Sequence, residues 1–244
     1  MKQRKNDKLY IFIHASKMAF PYTVPVLIGY LFIGTAFGVM LQEKGYSFWW
    51  AILSSVLVYA GSGQYMMVNF FVPGIHFLYI IFMEFMVNIR HMFYGISFLE
   101  RFHKMGKKKI YMMFALTDET YSLLYSVKDK VPKDVNEDDF YLAIALFDQS
   151  YWILGSAIGA IAGTFLPINS TGIDFAMTAL FLVILTEQWF CKENRIYAIL
   201  GIIATVLCRI IFGSNNFILP SMICILLPIL FTKQWKEKSN KEEN

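Results

Sequence analysis

The stretch at residues 58–67, VYAGSGQYMM, interrupts a long apolar run with two glycines, a serine and a glutamine. A plain membrane-spanning helix has no need of these residues at its centre. Irregular backbone at membrane depth is tolerated only where it is buried in protein or lines a wet cavity. We therefore predict a broken or re-entrant helix near 58–67 and expect the break to serve function.

The rest of the composition supports a membrane environment. Of 244 residues, 57% are hydrophobic and 16% are charged, and the mean hydropathy is +0.48, whereas soluble domains have about 45–50% apolar and about 25% charged residues. The excess falls in blocks long enough for helical spans of about 20 residues. We predict an all-α, polytopic helical membrane protein with about six to eight membrane segments. The blocks lie near 20–41, 47–72, 75–99, 140–166, 173–190, 195–213 and 216–232.

Basic residues indicate the topology. They cluster at the N-terminus, at 101–109 and at the C-terminus, and the positive-inside tendency places all three in the cytoplasm. Since three apolar blocks separate the first two clusters, we expect the block 47–72 to enter and leave on the same side. The alternative, in which 47–72 and 110–127 both cross, places 101–109 outside.

Short motifs suggest an internal repeat. GTAFG at 34–38 and NIRHMFYG at 88–95 resemble GSAIG at 155–159 and LCRIIFG at 207–213, each pair about 120 residues apart. Glycines four apart align on one helix face and allow a neighbouring helix to approach closely. We predict one integral membrane transporter domain over 1–244. Its repeat halves are about 20–99 and 140–213, joined by a cytoplasmic-side segment, 100–139.

Polar residues interrupt the third apolar block, in EFMVNIRHMFYG at 84–95. On a helix, Glu84, Asn88 and His91 form one polar stripe, whereas Arg90 points elsewhere and needs another partner. A charge at the bilayer centre costs about 2.5–3.5 kcal/mol on insertion scales. We interpret the group as functional; the alternative is a purely structural buried ion pair.

Two adjacent acids lie in an apolar context in LTDETYSL, 116–123, and Asp148 lies inside the fourth apolar block. Neighbours on a helix point about 100° apart, so Asp118 and Glu119 should have different partners. One of them could pair with Arg90, or carry a proton if burial disfavours its charged form. The alternative is a solvated surface helix.

Several function classes are excluded by missing motifs. The sequence has no P-loop, GxSxG elbow, HExxH motif or Rossmann glycine fingerprint. We therefore expect no enzyme, no cofactor and no metal, and any uphill transport needs an ion gradient or an ATPase partner. Because the cations lie at segment ends, we expect contact with lipid rather than nucleic acid.

VYAGSGQ, VNIRHMFYG and LTDETYSL, in that order, resemble the AzlC family of branched-chain amino acid export permeases. GYLFIGTAFGV and GIDFAMTALF at 172–181 resemble it too, so the likeness spans roughly residues 20–190. The resemblance implies a secondary transporter in the prokaryotic cytoplasmic membrane that exports leucine, isoleucine and valine with a small AzlD-type membrane subunit. We take protons as the coupling ion. The alternatives are a non-transporting scaffold or sensor, and an exporter of another small solute.

An apolar zwitterion needs an anion-binding end, a cation-binding end and an apolar cup. We expect a helix that restarts after Gly63 to bind the carboxylate through its free N–H groups. Unwound carbonyls at Tyr59–Gly61 would accept from the ammonium group. Gly63, where many relatives have a bulkier residue, would make the break more flexible. The candidate substrate-binding or coupling residues are Tyr59, Ala60, Gly61, Ser62, Gly63, Gln64, Glu84, Asn88, Arg90, His91, Asp118, Glu119 and Asp148.

Overall fold

The structure, a computed structural model, describes residues 2–71, 73–165 and 195–217 continuously, with single residues and short runs elsewhere between 175 and 228. The described residues form helices and no strands, which confirms the predicted all-α class. The helices are α1 (Lys2–Glu43), α2 (Phe48–Leu57), α3 (Gly61–Phe70), α4 (Phe77–Asn88), α5 (Arg90–Ser97), α6 (Leu99–His103), α7 (Lys108–Phe114), α8 (Asp118–Val127), α9 (Glu137–Phe165) and α10 (Arg195–Asn216).

Three of the described helices are long and apolar enough to cross a membrane: Lys8–Glu43 of α1, Glu137–Phe165 of α9 and Arg195–Gly213 of α10. The chain is thus a polytopic helical membrane protein. α1 begins well before the predicted block 20–41 and continues through Pro21 and Pro25. Prolines are tolerated in membrane helices because nearby side chains and neighbouring helices compensate for the lost backbone hydrogen bonds.

The chain divides into two compact units, Met1–Met177 and Thr178–Asn244. The first contains α1 to α9, and the second contains α10. About half of each of the predicted blocks 173–190 and 216–232, and most of the motif at 172–181, lies outside the described residues. The single transporter domain with repeat halves therefore stays a prediction.

α1 and α9 pack backbone to backbone through their glycine motifs. A methyl group on Gly38 would collide with the backbone of Ser156 and Ala160, and one on Gly159 with the backbone of Thr35. The Thr35 hydroxyl also donates to the Gly155 carbonyl at 3.3 Å. This is the close approach that small residues four apart permit, and it brings the two predicted repeat motifs against each other.

The predicted break is present, but it is shorter than expected. α2 ends at Leu57 and α3 begins at Gly61, and between them Tyr59 has a φ of +44°, a left-handed value that is uncommon outside glycine. The prediction of a helix restart after Gly63 was wrong. The Gln64 N–H already donates to the Ala60 carbonyl at 2.8 Å, which closes the first helical turn earlier.

A second break divides the predicted segment 110–127 into α7 and α8. Thr117 caps α8, since its side chain accepts from the Thr120 N–H at 3.3 Å. Asp118 and Glu119 follow in the first turn, where carboxylates are favoured by the helix dipole. The residues of the break, 115–117, are buried, so the alternative of a solvated surface helix is wrong for this end of α8.

The connection between α5 and α9 is held by ion pairs at its charged ends. Arg101 binds Glu137 at 3.1 Å and Asp138 at 2.6 Å, and Lys108 binds Asp139 at 2.7 Å. The three acids occupy the first turn of α9, where the helix dipole stabilises negative charge. The basic segment 101–109 is therefore anchored to the start of α9.

The glycine contact predicts a stability difference between matched glycines of α1. Gly38→Ala should lower the free energy of unfolding by about 1–3 kcal/mol, because an added methyl group overpacks the contact with α9. Gly29→Ala is the control, because nothing lies within 4 Å of its added carbon. Thermal unfolding of the purified variants in detergent measures the difference. Equal unfolding temperatures for both variants would contradict the packing described above.

Candidate functional site

Arg90 joins three of the short helices. Its Nη2 donates to Ser62 Oγ of α3 at 2.6 Å and lies 2.8 Å from Asp118 Oδ2 of α8. The Tyr94 hydroxyl donates to the other oxygen of Asp118 at 2.5 Å. The structure thus pairs Arg90 with one of the two carboxylates expected as its partner, beside the break between α2 and α3.

Two members of the polar stripe on α4, Glu84 and Asn88, lie against Gly63, which follows Ser62 in α3. Asn88 Nδ2 donates to Glu84 Oε2 at 3.2 Å and to the Glu84 carbonyl at 2.9 Å. In a continuous helix Arg90 would point about 200° away from Asn88. Ile89, which joins α4 to α5, keeps helical dihedral angles, and both side chains nevertheless reach α3. The third member of the stripe, His91, instead lies beside Tyr94, with 5.8 Å between ring centroids.

Gly63 is where Glu84 and Asn88 approach α3. A side-chain carbon on Gly63 would lie 2.6 Å from Asn88 Nδ2 and 2.7 Å from Glu84 Oε2. The expectation that Gly63 makes the break flexible was wrong, because Gly63 is inside α3. Its missing side chain instead provides space for the two polar groups.

The Gln64 side chain of α3 forms hydrogen bonds to residues of α2 and α9 and does not point into an open cavity. Its Nε2 donates to Ser54 at 3.1 Å and Ser55 at 3.3 Å, and its Oε1 accepts from Trp152 Nε1 at 2.9 Å. A side chain on Gly61 would meet the Trp152 ring at 3.2 Å. Gln64 and Gly61 therefore position α3 against α2 and α9.

The predicted set of unwound carbonyls at Tyr59–Gly61 is only partly present, since Tyr59 and Ala60 lie in the break between α2 and α3. The Ala60 carbonyl accepts from Gln64, and Gly61 is already helical. The first N–H groups of α3 instead lie at Gly61, Ser62 and Gly63, where a helix has no internal partners for them. The N-terminal end of α3 thus contains the hydroxyl that Arg90 binds.

Glu119 and Asp148 are joined through hydroxyl groups. The Tyr30 hydroxyl donates to Glu119 Oε2 at 2.8 Å and lies 2.7 Å from Thr117 Oγ1. Thr117 Oγ1 contacts Thr120 Oγ1 at 3.1 Å, and Thr120 Oγ1 donates to Asp148 Oδ2 at 2.9 Å. Together with the Arg90–Asp118 pair, these bonds confirm that the adjacent acids of α8 have different partners.

Several buried polar atoms have no hydrogen-bond partner within the described part of the chain. They include Glu84 Oε1, Asn88 Oδ1, Asp148 Oδ1 and the Tyr59 hydroxyl. A buried polar atom without a partner is costly, and such atoms are rare in native proteins. Buried polar atoms without a partner favour a ligand or a proton at this site.

Sequence reasoning missed the side chains that connect the candidates. Tyr30, Tyr94, Thr117, Thr120 and Trp152 each bind a candidate residue. Four of them lie inside motifs that carried the family resemblance, so the signal was present in GYLF, MFYG and LTDET. In the part of the chain that the structure describes, no group of three or more His, Cys, Asp or Glu side chains could hold a metal.

Comparison with known proteins identifies the family. The family model described as AzlC protein matches residues 25–166. The chain is 38% identical to the branched-chain amino acid transport protein AzlC of Bacillus subtilis (strain 168), over 92% of this chain and 88% of that relative. It is 36% identical to an uncharacterized membrane protein of Helicobacter pylori (strain J99), over 93% and 99% of the two chains.

A more distant relative is the inner membrane protein YgaZ of Escherichia coli (strain K12), 25% identical over 88% of this chain and 89% of that protein. No solved structure matches the chain. The family match covers every site residue described above, from Tyr30 of α1 to Trp152 of α9. With 38% identity to a relative matched over nearly its whole length, the chain belongs to the AzlC family.

Proposed function

We propose that this protein exports branched-chain amino acids across the cytoplasmic membrane, driven by protons and together with a small membrane subunit. The substrate class rests on the Bacillus subtilis relative, which is named for branched-chain amino acid transport. The direction and the AzlD-type subunit rest on the resemblance to export permeases. We further propose that both termini and the segment 101–109 face the cytoplasm, in keeping with their positive charge.

The single observation that carries the proposal is a pair of opposite charges at the start of α3. The Arg90 guanidinium binds Ser62, and the Glu84 and Asn88 side chains lie against the next residue, Gly63. A cationic group at one residue of α3 and acceptor oxygens at the next residue match the two charged ends of a zwitterionic amino acid.

The carboxylate end of the substrate binds at the N-terminus of α3. The free N–H groups of its first turn and the positive end of the helix dipole favour an anion. Arg90 adds a charged donor, and a guanidinium binds carboxylates in a bidentate geometry. In the structure Asp118 holds Arg90 at 2.8 Å, so the substrate carboxylate competes with Asp118 for the same guanidinium.

The ammonium end binds the free acceptors on α4. Glu84 Oε1 and Asn88 Oδ1 are buried and have no partner among the described residues. An ammonium group has three N–H donors, which supply hydrogen bonds to both atoms. The apolar tail lies among buried side chains such as Met83 and Met86 of α4, since methionine adapts to irregular shapes. Each methylene buried there contributes about 0.8 kcal/mol.

Counterflow in proteoliposomes tests the function. We expect the full-length protein, reconstituted with its partner subunit, to exchange labelled leucine, isoleucine and valine, and to accumulate them when a pH gradient is imposed. Amino acids with charged side chains are the control solutes. If no solute moves under any condition, the scaffold or sensor alternative replaces transport.

Removal of the Arg90 charge should abolish transport without preventing membrane insertion. Arg90→Ala loses the charge-assisted bonds to the substrate carboxylate, each worth about 1.5–3 kcal/mol, so binding weakens by about 10- to 100-fold. Arg101→Ala is the matched control, because Arg101 also binds two protein groups, Glu137 and Asp138, but lies outside the site. Leucine counterflow and membrane yield are compared. Normal counterflow by the Arg90→Ala variant would show that Arg90 does not bind the substrate.

We expect Glu84 to bind the amino group of the substrate. With Glu84→Gln, leucine binding weakens by about tenfold or more because a charged acceptor is lost. Inhibition of counterflow by 4-methylpentanoate, which is leucine without its amino group, should change little. Competition assays with both compounds measure the ratio of the two affinities. An equal loss for both compounds would place Glu84 away from the ammonium group.

A further inference from the structure

We propose that Glu119 and Asp148 share a single proton, which the hydroxyl groups of Tyr30, Thr117 and Thr120 pass between them. The inference rests on the proposed proton coupling and names the side chains that carry it. It follows from the positions of five oxygen-bearing groups on three helices, α1, α8 and α9.

The groups form an unbroken line of four contacts between the two carboxyl groups. In order, the distances are 2.8 Å from Glu119 to Tyr30 and 2.7 Å from Tyr30 to Thr117. They continue with 3.1 Å from Thr117 to Thr120 and 2.9 Å from Thr120 to Asp148. Three of them lie in the ordinary range of about 2.5–3.0 Å for hydrogen bonds between oxygen atoms, and the fourth is slightly longer.

The number of hydrogens decides the protonation state. Each hydroxyl has one hydrogen to donate, and an ionised carboxylate has none. Three hydroxyls therefore supply three hydrogens to four contacts, and one contact is left with two facing oxygens. One added proton, on Glu119 or on Asp148, supplies the fourth hydrogen. A second added proton would leave two hydrogens in one contact.

The two protonation states interconvert without a net change of bonds. When Glu119 holds the proton, it donates to Tyr30, Tyr30 to Thr117, Thr117 to Thr120, and Thr120 to Asp148. If each group passes its hydrogen forward, one O–H bond breaks and one forms at every hydroxyl. The proton that leaves Glu119 Oε2 is replaced by one arriving on Asp148 Oδ2, and all four hydrogen bonds reverse direction.

The surrounding charges favour one shared proton. Glu119 faces Asp118 and Arg90, which already pair with each other. Asp148 is fully buried, and its Oδ1 has no hydrogen-bond partner among the residues described. Two carboxylates that share a buried site do not both remain ionised. The line therefore holds one negative charge and one proton.

Three nearby tyrosines do not change the number of hydrogens available to the four contacts between Glu119 and Asp148. Tyr59 lies close to Tyr30 and Thr120, but its single hydrogen, given to either hydroxyl, occupies a contact outside the four of the line. Tyr111 and Tyr151 face Asp148, but their hydroxyls bond to Gln149 and Thr23. None of the three supplies the fourth hydrogen.

Amide variants give a sharp test because an amide N–H supplies the missing hydrogen. Glu119→Gln donates to Tyr30 permanently, so Asp148 becomes ionised. Asp148→Asn donates to Thr120, so Glu119 becomes ionised. Infrared difference spectroscopy of the purified full-length protein in detergent at neutral pH measures the carbonyl stretch of protonated carboxyl groups, and this measurement needs no transport.

We expect each single variant to lose the signal of one protonated carboxyl group, and the Glu119→Gln/Asp148→Asn double variant to lose no more. Losses that add in the double variant would show two independent protons and overturn the proposal. Loss in only one of the single variants, or in neither, would also overturn it.

Transport assays test whether the hydroxyl groups between Glu119 and Asp148 pass a proton during transport. Thr120→Val keeps the shape of the side chain and removes the hydroxyl at the middle of the line, whereas Thr120→Ser keeps the hydroxyl and is the matched control. In proteoliposomes we expect Thr120→Val to lose accumulation driven by a pH gradient and to reduce leucine counterflow to a much smaller extent. Thr120→Ser should keep both.

Gradient-driven accumulation by Thr120→Val would overturn the relay, and so would the loss of its counterflow. If the wild-type protein moves no branched-chain amino acid, the proposed function fails instead. In that case the infrared result alone decides whether the shared proton exists.

Discussion

The direct backbone contact between α1 and α9 is the constraint on which the site depends. Because Gly38 and Gly159 have no side chains, the two long helices approach closely enough for their other residues to interlock. Tyr30 is one turn before the first glycine of its motif, and its ring packs edge-on against Trp152 of α9 at 5.3 Å. From there the Tyr30 hydroxyl reaches Glu119 on α8. A bulkier residue at either glycine would separate the groups that form the site.

Around α1 and α9, the ends of the short helices bring polar groups together. The break between α2 and α3 exposes the first N–H groups of α3, and the break between α7 and α8 places two carboxylates in a capped first turn. At the junction of α4 and α5, side chains on both helices reach consecutive residues of α3, Ser62 and Gly63. Hydrogen-bonding groups are concentrated at these helix ends. Such groups are tolerated within an apolar chain because the surrounding helices bury them.

The sequence was sufficient to predict the helical membrane class, the break near 58–67 and an ion pair between Arg90 and one of the two acids Asp118 and Glu119. These predictions rest on local patterns: glycines in an apolar run, and charges whose insertion is expensive. It was also sufficient to give Asp118 and Glu119 different partners, because their directions on a helix follow from its period.

The start of α3 and the role of Gly63 could not be predicted, because both depend on tertiary contacts. Whether the helix begins at Gly61 or later is decided by Gln64, whose side chain is held by Ser54 and Trp152. Trp152 lies 88 positions away in sequence. Tyr30 and Thr120 were missed for the same reason, since a hydroxyl in an apolar helix becomes notable only when its partner is known.

In the proposed mechanism, the position of the shared proton links the two groups of residues in the site, those around Arg90 and those around Asp148. When the proton is on Asp148, Glu119 is ionised beside Asp118, and two negative charges face Arg90. That arrangement holds the guanidinium against α8. When the proton moves to Glu119, one of those charges is neutralised, so Arg90 binds a substrate carboxylate more readily. Conversely, a substrate carboxylate on Arg90 adds negative charge near Glu119 and favours the proton there. In the proposed mechanism, substrate occupancy and proton position are thus coupled through the first turn of α8, without any contact between the substrate and Asp148.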